Sequence, residues 1–167
     1  MTQPLLLSAD GLTLGYRDVA VVEDVTFKVA RGDVLAVVGH NGSGKSTLIR
    51  ALLGRLPPLA GVLNWPLGRP QTLAYLGQQM EFDNRFPIRV RDLAAMGAWP
   101  GLGFLQKIDG ECRARIDEAL ERTGTAEIAD MPLHKLSAGQ LQRALFARTM
   151  VQNAPFILLD EPFTAID

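Results

Sequence analysis

Gly39-His40-Asn41-Gly42-Ser43-Gly44-Lys45-Ser46 follows the apolar run Val34-Leu35-Ala36-Val37-Val38 and spells a complete G-x-x-x-x-G-K-[ST] phosphate-binding loop. A pyrophosphate wrapped by main chain needs successive N–H groups pointing inward, and that crowding excludes a Cβ at several places, which Gly39, Gly42 and Gly44 provide. Lys45 brings a mobile positive charge to the β- and γ-phosphates. The Ser46 hydroxyl is placed to ligate Mg²⁺ where the next helix begins. The stretch Thr47-Leu48-Ile49-Arg50-Ala51-Leu52-Leu53 reads as that helix, closed by Gly54 and then Pro57-Pro58, so its N-terminal dipole adds to the anion site. Strand, loop and helix in this order predict nucleoside triphosphate binding on an α/β core.

Outward from the loop, residues 5–9, 12–16, 19–22, 25–29 and 34–38 read as short strands, an antiparallel β-rich entry into that core. Gly61-Val62-Leu63-Asn64-Trp65 and Leu73-Ala74-Tyr75-Leu76 continue the sheet. From Val90 the apolar spacing becomes helical: Val90–Met96, then Glu111–Arg122 with Ile116, Ala119, Leu120 and Thr123 on one side, then Gly139–Val151. Phe156-Ile157-Leu158-Leu159 reads as a buried parallel strand whose carboxyl end, Asp160-Glu161, carries chemistry. Downstream of a phosphate loop, Asp160 is suited to hold Mg²⁺ and Glu161 to accept a proton from an attacking water. Leu136-Ser137-Ala138-Gly139-Gln140 is a polar turn opening an amphipathic helix, and read alone Ser137 is an N-cap.

Composition sets the bounds. At 167 residues and 47% hydrophobic content the chain has material for a one-domain core. It has no apolar run long enough to span a membrane and no basic, apolar leader, which predicts cytoplasmic residence. A formal charge of -1 supplies no global field for nucleic acid. The one cysteine, Cys112, has no disulfide partner and reads as structural filler.

Taken together these motifs resemble the ATP-binding-cassette (ABC) ATPases, in the family's order and over the whole chain. Leu136–Gln140 is similar to the signature L-S-G-G-Q, with Ala138 where glycine is usual. The resemblance implies an ABC-type P-loop NTPase core with an antiparallel β subdomain (1–79 and 152–167) and an inserted helical subdomain carrying the signature (80–151). It implies nucleotide contacts from Tyr16, stacked on adenine, and from Gly39, Asn41, Gly42, Ser43, Gly44, Lys45, Ser46 and Thr47. Gln78 corresponds to the Q-loop glutamine that contacts Mg²⁺ and the attacking water, with Gln79 as the other candidate. Glu161 is the implied catalytic base, and Ser46, Gln78 and Asp160 the Mg²⁺ set. Ser137, Gly139 and Gln140 would act on ATP held by a second subunit, a homodimer partner. Thr164-Ala165-Ile166-Asp167 resembles the D-loop at that interface.

The segment Glu81–Asp92, with Met96-Gly97 after it, is similar to the permease-facing segment of zinc, manganese and iron-chelate importers. The implied partners are transmembrane permease subunits and, indirectly, a solute-binding protein. The implied place is the inner face of the membrane, with no nucleic acid. The interval from Lys45 to Leu136 leaves no room for the coiled-coil arm of chromosome-maintenance ATPases. Neither His40 nor His134 occupies the switch-histidine position, and the strands and helices the family has after the D-loop are not in the sequence. The expectation is an N-terminal portion of a longer protein. A cassette module uncoupled from transport, such as one acting on ribosomes, or a hydrolysis-deficient fragment, are the rival readings.

Overall fold

In the computed structural model, residues 3–77, 87–101 and 108–160 are described. The chain divides into two compact units, residues 1–71 and 72–167.

The first unit is built on a long hairpin. Strand β1 (Leu5–Tyr16) pairs antiparallel with β2 (Val19–Ala30), and β3 (Ala60–Asn64) takes the other side of β1, giving the order β2-β1-β3. Each long strand had read as two short ones, and the reason is a pair of bulges. Between Ala9 and Leu12 the register slips by one residue at Gly11, whose φ of 55° suits glycine. That slip lets Leu7 and Ala9 before it, and Leu12 and Leu14 after it, all face the same core, although their numbers change parity. Between Leu12 and Leu14 the opposite strand supplies the extra residue, with Asp24 at φ 51°. A change of phase mimics a strand end in sequence. Helix α1 (Lys45–Leu52) lies against β1 and β2 and buries Thr47, Leu48, Ala51 and Leu52.

One expectation fails here. Residues 34–38 form no strand; Val34 is 97% and Val38 93% exposed. The run has strand propensity, but a strand exists only through hydrogen bonds to a neighbour, and among the described residues none pairs with it.

The second unit carries β4 (Leu73–Leu76) parallel to β5 (Phe156–Leu159) and the helices α2 (Val90–Ala95), α3 (Gly110–Arg122) and α4 (Ala138–Val151). The parallel pairing agrees with the sequence reading, but full burial of β5 does not. Leu158 is buried whereas Ile157 is 48% and Leu159 40% exposed, so burial alternates along the strand, with α4 packed on β4 beside it. Buried Leu76, Val90, Leu93, Cys112, Ile116, Leu120 and Leu145 form the core between helices and sheet. Helix starts are set by side chains: Asp92 accepts from the Arg89 N–H at 3.0 Å, and Asp109 from the Cys112 N–H at 2.7 Å. Cys112 is a free, buried thiol. Among the described residues no helix is long and apolar enough to cross a membrane.

Candidate nucleotide-binding site

The phosphate loop leads directly into α1, and its shape comes from backbone rather than side chains. Gly44 is the N-cap at φ 91°, a left-handed position, and a Cβ there would meet the Val22 side chain of β2. Gly42 is also left-handed, at φ 86°. Gly39 is needed for a different reason, since a Cβ would run into the Ser43 side chain. Ser43 N–H donates to the His40 carbonyl at 3.1 Å, so the loop closes on itself. No side chain caps α1 and no acidic residue lies in its first turn. The free N–H groups and the positive end of the helix dipole therefore face whatever anion sits over the loop.

Lys45 spans that loop. Its Nζ donates to the Gly39 carbonyl at 2.7 Å and to the His40 carbonyl at 3.0 Å. Both acceptors are neutral, so a phosphate oxygen would be the stronger partner for the ammonium. Asn41 and Ser46 are exposed, and Thr47 is buried against the sheet side of the helix. Tyr16 ends β1 one residue before the tight turn Arg17-Asp18, both at positive φ, and is 41% exposed. Its hydroxyl accepts from Arg50 Nη1 at 2.7 Å, so Tyr16 stands beside α1. The Thr47 hydroxyl and, after it, the Arg50 guanidinium lower the phenol's pKa below the usual tyrosine value.

In the second unit Asp160 follows β5, with its N–H bonded to the Leu76 carbonyl at 2.8 Å. It is 7% exposed, and the Tyr75 hydroxyl donates to Oδ2 at 3.4 Å. Among the described residues no salt bridge joins this carboxyl group. Sequence reasoning missed Tyr75. The signal lay in the parallel register, which seats Tyr75 opposite Leu158, two residues before Asp160.

Ser137 opens α4 in a complete capping box. Its Oγ accepts from the Gln140 N–H at 3.2 Å, and Gln140 Oε1 accepts from the Ser137 N–H at 2.9 Å. The plain N-cap reading of Ser137 is thus realised. Because Gln140 is half of the box, Gln140 and Ser137 fix one another at an exposed helix start. Ser137→Ala is expected to lower the stability of this unit by about 1 kcal/mol, read from denaturant unfolding. Gln78, Gln79, Glu161 and Asp167 lie outside the described residues.

The sequence profile of the ABC transporter family matches residues 22–164. The zinc transport system ATP-binding protein TroB of Treponema pallidum is 37% identical over 166 residues, covering 96% of this chain and 62% of that protein. The manganese transport system ATP-binding protein MntB of Listeria innocua is 36% identical over 165 residues, covering 96% of this chain and 69% of MntB. CbiO1 of Clostridium perfringens, part of the cbiONQ ABC transporter complex, superposes with a TM-score of 0.82 at 29% identity, over 99% of this chain and 68% of its own. The chain therefore spans just under two thirds of TroB. A profile match over most of the sequence, joined to a phosphate loop formed at the start of α1, leads to one conclusion: the chain belongs to the ABC transporter family.

Proposed function

We propose that this chain is the ATP-binding portion of an ATP-hydrolysing subunit that powers an ABC importer of metal ions, namely zinc, manganese or an iron chelate. The observation that carries the reading is the cradle at Gly39–Ser46: a helix start with no side-chain cap, two left-handed glycines and a lysine whose ammonium, among the described residues, donates to two loop carbonyls. Zinc and manganese are the cargoes named for TroB and MntB, which supports the metal class.

In this reading the N–H groups of the loop bind the β-phosphate and Lys45 leaves Gly39 and His40 for the β- and γ-phosphates. Tyr16 supports the adenine. The oxygens of Ser46 and Asp160 are the hard donors Mg²⁺ takes, joined by Gln78. Bound Mg²⁺ supplies neutralisation of phosphate charge. Glu161 accepts the proton of the attacking water, and Gln78 orients that water. Ser137, Gly139 and Gln140 complete the ATP site of a second copy, with Asp167 near the shared interface. The core comprises 1–79 and 152–167, and residues 80–151 form the helical part that meets the permease. The subunit sits on the inner face of the membrane through that permease, with a solute-binding protein delivering cargo and no nucleic acid involved.

The test is uptake in cells from which the encoding gene is deleted. Zinc, manganese or chelated-iron uptake should fall and be restored by the intact gene but not by its Lys45→Ala form. Unchanged uptake of all three, with ATP still bound by the purified protein, would favour a cassette uncoupled from metal transport.

A further inference from the structure

Arg50 lies outside the phosphate-loop motif, yet it reaches back to the residue that ends β1. Its Nη1 donates to the Tyr16 hydroxyl at 2.7 Å, while its Cζ stands 6.0 Å from the ring centroid. The two distances together fix the approach. The phenol oxygen projects from the rim of the ring, so a guanidinium joined to it by a short bond and still 6.0 Å from the centroid sits beyond the rim. A cation seated on the π-face would lie closer than this outer limit of cation–π range. The hydroxyl end is therefore held, in a residue that is 41% exposed. The helix that begins at Lys45 thus holds the hydroxyl end of Tyr16 through Arg50.

We propose that Arg50 is a positioning residue for base recognition: it fixes the Tyr16 hydroxyl, so that the ring is held ready for the purine of a nucleotide whose phosphates lie at the start of the same helix. This rests on the nucleotide-binding reading above and deepens it. An aromatic platform already ordered before binding loses less freedom when the base arrives, and ordering one such side chain is worth about two- to tenfold in affinity. The contribution belongs to the base and not to the phosphates. Arg50→Met keeps the aliphatic stem against the helix and removes the donor; Tyr16→Phe keeps the ring and removes the acceptor.

The experiment compares Mg-ATP and inorganic tripolyphosphate affinities, by calorimetry or competition, for the 167-residue chain, Arg50→Met, Arg50→Lys, Tyr16→Phe and the Arg50→Met/Tyr16→Phe double variant. Each single loss should weaken ATP about two- to tenfold, the double variant should be no weaker than the worse single, and Arg50→Lys should recover most of the loss. Tripolyphosphate affinity should not change. An equal loss for tripolyphosphate, or losses that multiply in the double variant, would overturn the proposal, since Arg50 would then act on the phosphates or independently of Tyr16. A second measurement needs no ligand. The chain has two tyrosines, and in ¹³C-tyrosine NMR the signal absent from Tyr16→Phe is that of Tyr16. Its titration lies below that of ordinary tyrosine because of the bonds from Thr47 and Arg50, and Arg50→Met should move it upward; no movement overturns the contact. Loss of ATP binding by the wild-type chain itself would reject the nucleotide reading and this proposal with it. Wild-type ATP binding that Arg50→Met leaves untouched rejects this proposal alone.

Discussion

Replacing Lys45 with alanine should weaken Mg-ATP binding by about one to two orders of magnitude, the range set by losing one hydrogen-bonded charge worth about 1.5–3 kcal/mol. The ammonium now donates to two carbonyls of its own loop, Gly39 at 2.7 Å and His40 at 3.0 Å. Phosphate oxygens carry full charge, so the exchange favours nucleotide, and alanine removes that gain entirely. The same substitution deletes two bonds that close the loop. A thermal melt of the free variant measures that part, and it should be small because Lys45 is partly exposed and the Ser43–His40 bond remains. Equal ATP affinity in wild type and variant would remove the loop from the binding site.

Glu161→Gln should leave ATP affinity within about twofold while lowering steady-state hydrolysis by about 10²–10⁴, the usual contribution of a positioned general base. The amide matches the carboxylate in shape but cannot accept a proton at neutral pH. Trapped nucleotide would then hold two subunits together, so the variant should also run as a dimer in ATP on size exclusion. Under the proposed function, the measurement is made on the subunit assembled with the permease it is proposed to serve. Undiminished turnover there would assign the base to another residue.

What could be read in the sequence was whatever local chemistry decides. The phosphate loop needs particular residues at particular backbone angles, so Gly42, Gly44 and Lys45 announce it without any distant contact. The same holds for Ser137 and Gln140, whose capping box closes within four residues. Non-local pairing was less legible. Residues 34–38 have the composition of a strand and are not one, because ladder bonds depend on a neighbour that propensity does not encode. The bulges at Gly11 and Asp24 turned two continuous strands into four apparent ones by reversing the phase of the apolar pattern. Exposure of Ile157 and Leu159 depends on what packs over β5, which four apolar residues in a row do not reveal. The contacts of Tyr75 with Asp160 and of Arg50 with Tyr16 join residues 85 and 34 positions apart, so only the fold brings them together.

The most direct test of the ATP cradle is a ¹⁵N NMR titration of the chain with Mg-ATP, following backbone amides. The largest shifts should fall on Gly42, Ser43, Gly44, Lys45, Ser46 and Thr47, whose N–H groups line the loop and the open end of α1, with a smaller response at Tyr16. Saturating shifts confined to those residues are the predicted result. Amides of the loop that stay unmoved while ATP binds elsewhere, or that stay unmoved at any ATP concentration, would contradict it.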